Sequence, residues 1–145
     1  MKYDFVIIGA GIVGSAVALS LIREGHSVAV IEHSRLGQQD LVKDKTQVFM
    51  LNSSSLSILR DIGTWSQINH DQYNQVFDIK ILGDGLSEIN FNSSNADFSA
   101  LGYTVEKHNL LEVLHRQLQQ SNMAVFDNQK IENLVWGKNH ISVQL

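Results

Sequence analysis

Tyr3-Asp-Phe-Val-Ile-Ile-Gly-Ala-Gly-Ile-Val-Gly-Ser-Ala-Val-Ala-Leu-Ser-Leu-Ile-Arg-Glu-Gly-His-Ser-Val-Ala-Val-Ile-Glu32 reads as strand, tight turn, helix and second strand in one unbroken run. The apolar stretch Phe5 to Ile8 predicts a buried parallel strand, and Gly9, Gly11 and Gly14 follow it at G-x-G-x-x-G spacing. Each glycine has its own physical task. Gly9 permits the turn out of the strand, Gly11 leaves the backbone bare where a phosphate must approach, and Gly14 lets the new helix lie close to the sheet. Ala18 keeps the helix near the sheet one turn later, and Ala16, Leu19, Leu21 and Ile22 supply its apolar face. Gly25 and His26 break the helix, and Val28 to Ile31 form the second strand.

A dinucleotide fits this unit. Its pyrophosphate would rest on the first amides of the helix, those of Gly11, Ile12 and Val13, where the helix dipole favours an anion without a basic side chain. Glu32 closes the second strand at the separation expected of the acid that binds ribose hydroxyls, and His33 opens the loop leaving that site. A carboxylate there repels a 2′-phosphate, which disfavours NADP as the ligand of this site. A lone G-x-G-x-x-G would carry little weight; here strand, helix, second strand and acid all agree with it.

At 145 residues the chain is one domain's worth, and its net charge of −4 comes with no basic block or stripe, so nucleic acid is excluded as a partner. The absence of cysteine removes disulfides, thiolate catalysis and cysteine metal sites, and agrees with a reducing compartment, the cytoplasm by default. No apolar run is long enough to span a bilayer. Proline is absent too, for which we have no functional account.

Beyond Glu32, the segment 33–45 reads as a polar loop and 47–51 as a short extended segment. Asn52 and the serines after it offer N-caps to a helix carrying Leu56, Leu59 and Ile62, which Gly63 ends. Residues 70–75 read as loop, and from Val76 to Leu82 the period changes to two. Gly83-Asp-Gly85 then predicts a hairpin returning over Leu86 to Phe91. A short strand over Tyr103 to Glu106 precedes a helix from His108 to Gln120 with Leu110, Leu111, Leu114 and Leu118 on one face. Strands follow over 124–126, 130–136 and 140–145. The fold class is therefore α/β: a Rossmann-like FAD/NAD(P)-binding fold with a parallel sheet plus an antiparallel hairpin or meander. The last strand pattern runs to Leu145 with no polar tail, which suggests a cut chain.

Elsewhere the residues call for ordinary structural roles. No histidine sits in a metal-binding motif, and His108 and His115, seven apart on one helix, stand about 10 Å apart along its axis, too far for one ion, so surface or helix-end roles are expected of them. Asp40, Asp44, Asp84 and Glu88 read as solvated charges, Ser53 to Ser55 as caps, and Trp65 and Trp136 as packing residues. No catalytic residue is assigned, and no metal is expected.

The N-terminal unit, ending in Glu32, is similar to the FAD-binding half of the glutathione-reductase-type flavoproteins. Val48-Phe-Met-Leu-Asn-Ser-Ser-Ser-Leu-Ser-Ile-Leu-Arg-Asp-Ile-Gly-Thr-Trp65 resembles the A-L-[SN]…S…L…L-G-x-W segment of the ubiquinone-biosynthesis hydroxylases, which are FAD-dependent aromatic-ring monooxygenases. Leu101-Gly-Tyr-Thr-Val-Glu106, with Leu110 and Leu114, resembles their L-G-[YH]-x-V-E-N-x-x-L…L segment. Two positions depart from the pattern: Gln47 stands where the family usually has a flavin-contacting Arg, and Lys107 where it has Asn.

The resemblance implies residues 1–145 as the N-terminal part of an FAD-binding domain, with a hairpin insertion near 76–100 and the C-terminal flavin and substrate part absent. It implies FAD as cofactor, NAD(P)H as co-substrate and a polyprenyl phenol as the ring hydroxylated. It adds Gln47 to the cofactor contacts Gly9, Gly11, Ile12, Val13, Gly14, Glu32 and His33. For the full-length enzyme it implies a cytoplasmic location with peripheral attachment to the inner face of the membrane, or a place in a biosynthetic complex. The fragment alone is expected to be inactive. Another flavin oxidoreductase of the same fold and a non-catalytic nucleotide-binding module stay open as alternatives.

Overall fold

A computed structural model describes residues 1–37, 47–85, 87–96 and 99–145. In chain order the elements are β1 (Phe5–Ile8), α1 (Ile12–Arg23), β2 (Val28–Ile31), β3 (Val48–Leu51), α2 (Ser53–Asp61), β4 (Tyr73–Val76), β5 (Asp78–Leu82), β6 (Glu88–Asn92), β7 (Gly102–Glu106), α3 (Lys107–Gln120), β8 (Ala124–Phe126), β9 (Asn133–Trp136) and β10 (Ile141–Gln144). Two compact units result, one of residues 1–42 and 111–145 and the other of residues 43–110.

In the first unit β1, β2 and β8 form a parallel sheet with β2 in the middle. Phe5 pairs with Val28 and Ile8 with Ile31, while Ala29 to Ile31 pair with Ala124 to Phe126. All four residues of β2 are buried, as a central parallel strand with both faces covered requires. Val28 and Val30 join Ala10, Ala18, Leu36, Leu118 and Met123 in the core, each full-sized side chain contributing roughly 1.5–3 kcal/mol by burial. Ala18 is fully buried on α1, which brings the helix close to the sheet as its small size predicts. β9 and β10 make a separate antiparallel hairpin. The expected strand over 130–136 begins only at Asn133.

In the second unit β7 lies between β3 and β4, antiparallel to both. Asn52 caps α2, its side-chain oxygen accepting from the Ser55 amide at 2.8 Å, and Gly63 follows the helix with φ +72°. The stretch 70–75 departs from the loop predicted for it: a short 3-10 turn at His70–Gln72 leads into β4. Tyr73 there packs on Trp65 and Tyr103, with ring centroids 4.6 and 5.8 Å away, so tertiary aromatic contact and pairing with β7 override a polar local sequence. The alternating run from Val76 is likewise split at Phe77. Its first residue ends β4, and the rest forms β5, whose partner is β6 in a second sheet. The loop expected over 33–45 and the start of the returning strand at Leu86 lie partly outside the described residues, as do Asp40 and Asp44. No helix among the described residues is long and apolar enough to cross a membrane.

A polar clasp holds the other end of the first unit's sheet. The Asp4 carboxylate accepts from the Ser27 amide at 2.8 Å and from its hydroxyl at 2.7 Å, while the Asp4 amide donates back to the Ser27 carbonyl at 2.9 Å. The Ser27 hydroxyl and amide hold the Asp4 carboxyl below the usual carboxylate range, against a small opposing effect of desolvation. A lowered folded-state value contributes stability above the unfolded value and loses it as pH falls through the folded one. We therefore expect denaturant midpoints to drop as pH falls below about 4. Asp4→Asn should flatten that part of the profile; an unchanged slope would count against the clasp.

Candidate functional site

The turn from β1 into α1 carries the glycines that the sequence singles out. Gly9 adopts φ +95°, in the left-handed region, and its amide donates to the Ile31 carbonyl of β2 at 2.8 Å. At Gly14 an added Cβ would stand 2.0 Å from the Gly9 carbonyl oxygen, so the helix can pass this close only with hydrogen at that position. Gly11 is different. It is the N-cap residue of α1, and a Cβ there would meet nothing within 4 Å. The protein's own packing does not demand glycine at Gly11; the space above it is open.

No side chain caps α1, and its first turn holds no acidic residue. The first helical donor is the Ser15 amide, bonded to the Gly11 carbonyl at 2.9 Å, so the Ile12, Val13 and Gly14 amides precede the helical ladder. Val13 is 76% exposed, which keeps this helix end on the surface.

Between Gly9 and Gly11 lies the fully buried Ala10, held on both sides. Its amide donates to Glu32 Oε2 at 2.6 Å. Its carbonyl accepts from Ser15 Oγ at 2.9 Å and from His115 Nε2 at 2.7 Å. Because a carbonyl can only accept, Nε2 of His115 carries the hydrogen. Glu32 is itself only 4% exposed, and its Oε1 accepts from the Ser34 amide at 3.0 Å. His33 Nδ1 lies 2.8 Å from the same oxygen on an exposed ring, an ion pair when that ring is protonated.

The structure thus brings Gly9, Gly11, Ile12, Val13, Gly14, Glu32 and His33 to one end of the parallel sheet. Gln47 belongs to the second unit, where it is exposed and its carbonyl accepts the Lys107 amide at 2.8 Å. The helix-end role expected of His108 suits its place in the first turn of α3, with Nδ1 3.3 Å from Glu106 Oε2 but not aligned as a hydrogen bond. The surface or helix-end role expected of His115 is corrected: it is 5% exposed and bonded to the glycine turn. A signal was present, since His115 falls four residues after Leu111 and three before Leu118, on the helix's buried stripe. Ser15 and Ser34 were missed as well. Among the described residues no group of three or more His, Asp or Glu side chains could hold a metal ion.

A glycine turn and an uncapped helix N-terminus at the carboxyl end of parallel strands have the geometry on which α/β units hold dinucleotides. Residues 4–40 match the family model described as FAD dependent oxidoreductase. The chain is 26% identical over 119 residues to 3-demethoxyubiquinol 3-hydroxylase of Escherichia coli, covering 80% of this chain and 30% of that protein. Its fold matches p-nitrophenol 4-monooxygenase PnpA from Pseudomonas putida with a TM-score of 0.73 and 17% identity, over 96% of this chain and 35% of that one. PqsL of P. aeruginosa, in complex with 2-aminobenzoylacetate, matches with a TM-score of 0.74 and 19% identity, over 97% and 37% of the two chains. Residues 4–40 are thus similar to the FAD-dependent oxidoreductases, and the chain shares the Rossmann-like fold of these solved structures. It spans about a third of the length of the curated relatives it matches.

The two inner glycines give a test that separates folding from binding. Gly14→Ala must push its methyl into the Gly9 carbonyl and should cost roughly 1–3 kcal/mol or more. Gly11→Ala meets nothing and should cost about 1 kcal/mol at most as an N-cap change, yet abolish nucleotide binding. Thermal melts together with FAD titration read both effects; equal behaviour of the two variants would contradict the assignment.

Proposed function

We propose that this chain is the FAD-holding portion of a flavin-dependent monooxygenase that hydroxylates an aromatic ring of the polyprenyl-phenol type. The observation that carries the reading is the open, uncapped end of α1 above Gly11, in a segment that matches FAD-dependent oxidoreductases. The pyrophosphate takes the amides of Gly11, Ile12 and Val13. Glu32 and His33 face the adenosine ribose. Two backbone donors already use the Glu32 carboxylate, one on each oxygen, which leaves acceptor positions for ribose hydroxyls.

When bound, FAD supplies electron acceptance from a reduced nicotinamide and activation of oxygen. The described residues of the first unit hold and orient its adenosine diphosphate half. Gln47 as a flavin contact and NAD(P)H as co-substrate rest on the resemblance to ubiquinone-biosynthesis hydroxylases, which the E. coli 3-hydroxylase relative supports. The same resemblance supports peripheral association of the full-length protein with the cytoplasmic face of a membrane, where a polyprenyl substrate resides, or its place in a biosynthetic complex. Because the family model covers residues 4–40 only, an oxidase of the same flavin fold is the second reading.

Flavin fluorescence and oxygen uptake test the proposal together. The purified chain should quench added FAD at saturation, and should not couple NAD(P)H oxidation to phenol hydroxylation. Failure to bind FAD would sink the cofactor reading. Coupled turnover by residues 1–145 would overturn the division of labour.

A further inference from the structure

We propose that His115 is a positioning residue for the phosphate-binding turn: by holding the Ala10 carbonyl inward, it aims the Gly11 amide at the ligand. The inference rests on the dinucleotide reading given above and adds a residue to it from a distant part of the sequence. A trans peptide is planar, so the carbonyl of Ala10 and the amide of Gly11 point in opposite directions. His115 Nε2 at 2.7 Å and Ser15 Oγ at 2.9 Å draw that carbonyl into the protein. The Gly11 amide therefore points the opposite way, and Gly11 itself is exposed.

The chemistry of α3 argues that the bond is the reason for the histidine. Position 115 lies on the buried stripe with Leu111, Leu114 and Leu118, where an apolar side chain would fill space without the cost of burying an imidazole. The carbonyl oxygen has two lone pairs, and His115 and Ser15 use both. Removing His115 leaves the Ser15 bond in place, so the carbonyl stays satisfied while its peptide is free to rock. The loss should therefore fall on ligand binding more than on folding.

The experiment is a titration of the ¹⁵N-labelled chain with ADP, and separately with adenosine, for wild type, His115→Leu and His115→Gln. Wild type should bind ADP with a shift of the Gly11 amide resonance. His115→Leu should weaken ADP about tenfold while leaving adenosine within about twofold, because adenosine has no phosphate for that amide to meet. His115→Gln, whose side-chain amide can donate to the same carbonyl, should restore ADP binding. Should the leucine variant not fold, Ser15→Ala removes the other donor and should weaken ADP in the same selective way. Unchanged ADP affinity in a folded His115→Leu would overturn the proposal, and so would parallel loss of ADP and adenosine. A wild-type chain that binds no ADP would overturn the dinucleotide reading, and the positioning role with it.

Discussion

The backbone of Ala10 is the constraint on which the turn depends. Its amide is tied to Glu32 at the end of β2, and its carbonyl to Ser15 on α1 and His115 on α3, so three elements fix one residue of a turn. Such a turn would otherwise sample several conformations, since glycine lies on either side of it. Once the Ala10 peptide is held, Gly9 can take its positive φ and Gly14 can pass against the Gly9 carbonyl, and the start of α1 is presented to solvent. Glu32 holds the turn in this arrangement through the Ala10 amide.

A helix N-terminus offers an anion two contributions of different size. The dipole of α1 contributes about 0.3–1 kcal/mol toward an anion at its N-terminus, whereas a hydrogen bond to a charged group contributes about 1.5–3 kcal/mol. Binding strength should therefore follow the aim of the first amides more than the charge of the helix end. The proposed nucleotide contacts accordingly need no lysine or arginine in α1's first turn, which has none, in a chain whose net charge is −4.

Much of the fold was legible because its signals are local. The glycine spacing, the apolar runs of β1 and β2 and the leucine stripe of α3 each require one period or one turn geometry, and each is found where the residues predict, although β1 is an edge strand with three of its four residues exposed and not the buried strand expected. What the sequence concealed came from contacts between distant segments. β4 exists because β7 pairs with it and because Tyr73 meets Trp65 and Tyr103, none of which a window around Asn74 contains. In the sequence the nearest histidine to His115 is His108, while its partner in the fold is a carbonyl 105 positions earlier in the chain. The glycines of the site are readable as a pattern; the groups that orient them are readable only in three dimensions.

The central claim is that this chain holds a dinucleotide by its adenosine diphosphate half. Competition against bound FAD tests it most directly. ADP should displace FAD from the chain while FMN, which lacks the adenosine half, should not. Displacement by FMN but not by ADP, or no bound FAD to displace, would contradict it.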